Sequence, residues 1–154
     1  MHTDYVTTAP MTALQVFEKA AELLEHKYQR DHSFTNPDHT KRYLSMKLGH
    51  QEREVFAVLF LDNQNQLIRY QELFYGTVDS ASIYPREVAK AALQANAAAV
   101  IFAHNHPSGV AEPSSSDKRI TTRLVDALKL LDIRVLDHVV VGLVCVSFAE
   151  RGLI

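Results

Sequence analysis

Residues 97–117 read AAAVIFAHNHPSGVAEPSSSD, and this stretch decides the fold. Ala97–Ala103 is an unbroken apolar run, the pattern of a strand covered on both faces. A polar, proline-punctuated loop runs from His104 to Ser116. A helix is predicted from Ser115 to about Leu131, with its apolar stripe at Ile120, Leu124, Leu128 and Leu131.

The same texture extends in both directions. Glu54–Leu61 (EVFAVLFL) is a second buried strand, followed by a turn at Asp62-Asn63-Gln64-Asn65. Leu67–Phe74 alternates as a strand with one wet face does. Pro85 opens a helix through about Asn96, and Val139–Val144 and Cys145–Phe148 are strand-like. Strands and helices thus alternate over residues 50–154, which predicts one α/β domain with a central mixed sheet and helices on its faces. Ahead of it, apolar residues at Leu14, Phe17, Leu24 and Tyr28, with Ala20, Ala21 and Leu23 beside them, predict an amphipathic helix from Met11 to about Arg30. Thr12 and Gln15 supply a capping box for it. Asn36-Pro37 reads as an N-cap followed by proline at the first helical position, and Gly49 closes that shorter helix. Residues 1–50 are therefore expected to form a helical extension, its first ten residues frayed, on a domain spanning 51–154.

Composition narrows the function. The chain has 154 residues, 47% hydrophobic and 22% charged, which suits one soluble domain. Its single cysteine excludes an internal disulfide scaffold, a cysteine zinc finger and a zinc-thiolate deaminase site. Five scattered glycines leave no room for a glycine-rich phosphate loop. A formal charge of -2 argues against a dominant electrostatic hold on nucleic acid. Met1–Pro10 has neither a basic nor an apolar segment of a secretory signal, and no run is long enough to span a membrane. A reduced, cytoplasmic protein is the expectation.

Histidine is the unusual residue, with eight in the chain. His2, His26, His32, His39 and His50 keep irregular spacing in polar company and are expected at the surface. His138, after Asp137, is expected to be a structural residue at the start of a strand. His104 and His106 differ. In an extended segment, residues two apart point to one side, so two imidazoles are presented together at a strand end, where α/β proteins commonly place their sites. Asp117 follows at the start of the next helix. Two histidines and a carboxylate leave one position of a tetrahedral zinc ion for water, the pattern of a catalytic site. Ser114 and Asp117 also admit a simpler reading, a capping box at a helix N-terminus. Ser115 or Ser116 could cap instead, and the joint spacing His-x-His-x7-Ser-x2-Asp carries more information than either residue pair.

These residues resemble a known signature. His104-Asn105-His106-Pro107-Ser108-Gly109, then Pro113-Ser114 and Asp117, are similar to the motif of the JAMM (MPN+) metalloproteases, in the form found in RadC-like proteins. Glu54-Val55-Phe56, Pro85-Arg86-Glu87-Val88, Val135-Leu136-Asp137-His138 and Ser147-Phe148-Ala149-Glu150-Arg151-Gly152 agree, so the resemblance covers roughly Glu52 to the C-terminus. It implies a three-layer α/β/α sandwich related to the cytidine deaminases. It implies zinc (Zn2+) held by His104, His106 and Asp117, with Ser114 hydrogen-bonding near the metal water and the developing oxyanion. A glutamate ahead of an early strand would be the general base. Glu54 fits that place; Glu87 is the alternative, though a first-turn glutamate is also explained by the helix dipole. Asn105 and Ser108 could shape a substrate groove. The helix-hairpin-helix region of longer RadC-like proteins has no counterpart in the first 50 residues, as in the shorter members.

Three functions compete. One is a zinc-dependent metallopeptidase acting on a peptide or isopeptide bond. Another is a DNA-repair-associated accessory protein, since the RadC name carries a repair label; Lys118, Arg119 and Arg123 recur on one helix, but a solvated helix face explains them equally well. The third is a metal-binding scaffold without catalysis. The HNH string is not an HNH nuclease, whose three residues are scattered along a ββα unit, and the chain lacks the P-C-x-x-C of a deaminase.

Overall fold

The structure, a computed structural model, describes residues 6–31, 33–77 and 82–154. Its elements in chain order are α1 (Ala13–Asp31), α2 (Pro37–Leu48), β1 (Val55–Leu61), β2 (Leu67–Tyr75), α3 (Pro85–Gln94), β3 (Ala99–Asn105), α4 (Ser115–Lys129), β4 (Arg134–Val141) and β5 (Cys145–Ser147). The strands form one sheet in the order β2-β1-β3-β4-β5. Only β3 and β4 run parallel, joined through α4; the other neighbours are antiparallel. The sheet is mixed, as the sequence predicts.

Each face of the sheet carries its own core, because side chains alternate along a strand. Val55, Ala57, Leu59, Leu61, Ile101 and Ala103 point to one face and pack with Phe34, Tyr43, Leu44 and Leu48 of α2 and the segment before it. Phe56, Val58, Phe60, Val100 and Phe102 point to the other and meet Val88 and Ala92 of α3 and Ile120, Leu124 and Leu128 of α4. The unbroken apolar runs of β1 and β3 follow from burial on both sides. The result is a three-layer α/β/α sandwich, with α2 contributing to the same core as the strands.

Local chemistry sets the element ends. The Asn36 side chain accepts from Asp38 N and His39 N, and Pro37 follows at the first helical position, so α2 starts where expected. Thr12 and Gln15 exchange the two bonds of a capping box ahead of α1, at 3.2 and 2.9 Å. In the β1–β2 turn, Asp62 Oδ1 accepts from Gln64 N and Gln66 N, and Asn65 adopts a left-handed conformation at φ 59°.

Several expectations are corrected. β3 does not stop at Ala103 but continues through His104 and Asn105, because these residues pair with β4 at Val140 and Val141. β4 begins at Arg134, five residues earlier than the apolar run suggests, and ends at Val141 before the Gly142–Val144 turn. His138 therefore lies inside β4 rather than at its start. The α1 stripe is only half covered: Ala21 is buried, but Leu14 and Phe17 remain 47% and 44% exposed. His26 and His39 are exposed as expected, whereas His50 is half-buried and stacks on Phe17 with ring centroids 5.7 Å apart. His2 and His32, and the side chain of Tyr28, lie outside the described residues.

Leu59 is fully buried at the centre of β1. Leu59→Ala is expected to lower unfolding free energy by about 2–5 kcal/mol, with the m-value unchanged, in a urea titration followed by circular dichroism.

Candidate metal centre

β3 brings its polar end to the edge of an apolar sheet. His104 is fully buried and lies on the α3/α4 face, in line with Val100 and Phe102. His106, two residues on, is half-buried. Asp117, 1% exposed, comes from the first turn of α4. One ring nitrogen from each histidine and one carboxylate oxygen lie within 4.8 Å of one another. His104 Nε2 and His106 Nε2 are 3.1 Å apart, and they approach Asp117 Oδ1 and Oδ2 at 3.2 and 3.4 Å. The three residues singled out in the sequence thus come together, and among the described residues they form the one such group.

Each ligand is held by bonds made elsewhere. The Asp117 carboxylate accepts the Ser114 N–H at 2.7 Å through Oδ2, and the Ser114 hydroxyl accepts the Asp117 N–H at 3.0 Å. This is a full capping box, so the capping and ligand readings hold together: Ser114 caps α4, and the box aims Asp117 at the histidines. Burial pushes the Asp117 carboxyl up. The His104 ring beside it and the Ser114 N–H outweigh burial and hold the group well below the usual carboxylate range.

His106 is fixed through backbone. Its Nδ1–H donates to Val110 O at 2.8 Å, which leaves the Nε2 lone pair facing the cluster. Its N–H donates to Val141 O at 2.8 Å, and Leu143 N donates to Gly109 O at 2.8 Å. The loop after β3 is thereby tied to the β4–β5 turn. A Cβ at Gly142 would sit 2.4 Å from Gly109 O, so only glycine permits this approach.

Asn105 lines a cleft together with Gln51, His106 and Gly142. It points to the opposite face of the sheet, where its side chain accepts from Val55 N at 2.7 Å and donates to Gln51 O and Arg53 O at 3.3 and 3.0 Å. These bonds grip the backbone on both sides of Glu54. Ser108 Oγ accepts from Val110 N at 3.3 Å within its own turn. Glu54 is half-buried just before β1 and stands outside the cluster, as does Glu87, whose exposed carboxylate lies 3.6 Å from Arg86 Nε.

His138 is the residue that sequence reading missed. It is fully buried, and its Nε2 lies 2.7 Å from His104 Nδ1. Its place after Asp137 in an otherwise apolar run gave no sign of a neighbour on another strand.

The RadC-like JAB domain profile matches residues 34–153. The chain belongs to this family. A UPF0758 protein of Vibrio cholerae is 64% identical over 138 residues, covering 90% of this chain and 88% of the relative. UPF0758 proteins of Pseudoalteromonas translucida and a Marinomonas species are 57% and 58% identical; the chain spans 66% of the length of each. The chain is thus a RadC-like JAB protein with three side chains placed to take a metal ion. The donor set fits that role: two imidazole nitrogens and an acidic carboxylate meet at one point, an arrangement that repels itself without positive charge between them.

Two outcomes follow from this geometry. Gly142→Ala must displace the Gly109 backbone and with it the loop that orients His106; metal affinity is expected to fall by at least roughly tenfold, read by chelator competition. Asp117 has a depressed pKa in the folded state, so its contribution to stability is complete above its unfolded value near 3.8 and is lost as pH falls from there through the lower folded value. The stability difference between wild type and Asp117→Asn, followed by thermal melts, is expected to shrink below about pH 4.

Proposed function

We propose that the chain is a zinc-dependent metallopeptidase that hydrolyses a peptide or isopeptide bond through an activated water. The observation that carries this reading is the convergence of His104, His106 and Asp117 at the end of β3. Two imidazoles and a carboxylate suit zinc and leave a coordination position open. When bound, the ion acts as a Lewis acid on the scissile carbonyl and lowers the pKa of water towards about 7.

The chain's own residues supply the rest. Glu54 is the general base. β1 and β3 pair with Phe56 opposite His104, which supports Glu54, two residues before Phe56, as a residue near that strand end. The Asn105 bonds to Arg53 O and Val55 N hold the backbone there. Glu54 takes the proton of the attacking water on its carboxylate and returns it to the leaving amine. Glu87 is a poorer base, since its exposed carboxylate faces Arg86. The Ser114 oxygen accepts from Asp117 N and keeps its own proton to donate to the developing oxyanion.

Purified protein is expected to bind about one zinc per chain, and His104→Ala with His106→Ala to bind none, by elemental analysis. Glu54→Gln should retain zinc while cleavage of a peptide library falls by roughly 10²–10⁴-fold. Full zinc binding in the double-histidine variant would refute the site. Unchanged cleavage by Glu54→Gln would move the base elsewhere, and a zinc-loaded wild type that cuts nothing would leave a metal-binding scaffold.

A further inference from the structure

We propose that His138 and Thr121 form a buried relay that fixes His104 in the tautomer whose Nε2 lone pair faces His106 and Asp117. The direction of the relay follows from a single proton. Thr121 Oγ1 lies 2.6 Å from the Asp117 carbonyl oxygen, which can only accept, so the hydroxyl proton goes there. The same Oγ1 lies 2.6 Å from His138 Nδ1 and must accept at that contact. His138 therefore carries its proton on Nδ1, and its Nε2 is an acceptor. His104 Nδ1, 2.7 Å from that Nε2, has to donate. A neutral His104 with its proton on Nδ1 has a bare Nε2, the atom that lies among the other ligands.

The surroundings keep the relay in this state. His138 is fully buried, and Phe148 stacks on its ring at 4.8 Å while Phe56 and Phe102 meet it edge-on at 5.7 and 5.9 Å. Among the described residues, its ring nitrogens bond to His104 and Thr121. Full burial among the phenyl rings favours the uncharged imidazole. Thr121 stands one helical turn after Asp117, so α4 presents the ligand and the end of the relay on one face. His138 and Thr121 are positioning residues: they act through His104 and touch no reacting atom.

The consequence for metal binding rests on the function proposed above; the tautomer does not. Two measurements separate them. In metal-free protein labelled with ¹⁵N-histidine, long-range ¹H–¹⁵N spectra are expected to find His104 and His138 both protonated on Nδ1. A major form of His104 protonated on Nε2 would overturn the relay, whether or not the protein binds metal. Zinc affinity is then read by chelator competition in Thr121→Val and Thr121→Ser. Valine keeps the shape without the acceptor and should weaken zinc binding by roughly 10–100-fold, while serine should restore it. Wild-type affinity in Thr121→Val, or a Thr121→Ser as weak as the valine variant, would overturn the relay's role. A wild type that binds no zinc would remove the metallopeptidase reading and leave the spectra to decide the relay.

Discussion

β3 is hydrogen-bonded along both edges and covered on both faces, and the placement of every other functional residue is referred to it. The strand pairs with β1 on one side and β4 on the other over nearly its whole length. Its backbone donors and acceptors are therefore satisfied within the sheet, and its position is fixed by the two cores it separates. A strand so constrained can carry a polar residue at its buried end only if that residue is satisfied too. His104 meets this condition with His138 on one nitrogen and the ligand cluster on the other. The His-His-Asp cluster is thus also a solution to a burial problem.

The helix cap and the ligand are one arrangement. Ser114 and Asp117 bind each other's backbone N–H, which satisfies two backbone donors at the start of α4, and the same carboxylate then reaches the histidines. Because the cap fixes the side-chain torsions of Asp117, little conformational freedom is left for a metal to remove. The loop before α4 is disciplined by another route. Gly109 and Gly142 allow two backbones to touch, and the resulting bonds to Leu143 and Val141 set the direction of His106. Three ligands thus have three separate supports: a relay, a backbone clamp and a cap.

Much of this was legible in the sequence. The apolar runs of β1 and β3 announced burial on both faces, and the spacing from His104 to Asp117 announced the cluster. Local chemistry announced the caps at Thr12, Asn36 and Ser114, because a cap depends on residues within one turn. What was not legible depends on contacts distant along the chain. His138 takes its meaning from His104, 34 residues away, and from a strand pairing that the polar Asp137 disguised. Asp137 itself looks like the end of an apolar run, yet it is buried and accepts bonds from the His138 and Ala149 N–H groups and from the Ser147 hydroxyl. Periodicity marked one face of α1 as apolar, but periodicity carries no information on what lies against that face.

The two histidines are chemically alike and differently placed, and the difference divides their work. His104 sits inside the core, with its outer nitrogen bonded to a neutral ring caged by phenyls. Solvent cannot compete for that bond, so its ring is held in one orientation and one protonation pattern. His106 is half-buried, and its Nδ1–H is bonded to a loop carbonyl beside the exposed Val110 and Leu143. A metal held between them would be anchored to the interior by the first and turned towards solvent by the second. The half-burial of His106 leaves the cluster open on one side, whereas burial of both histidines would close it to anything larger than water.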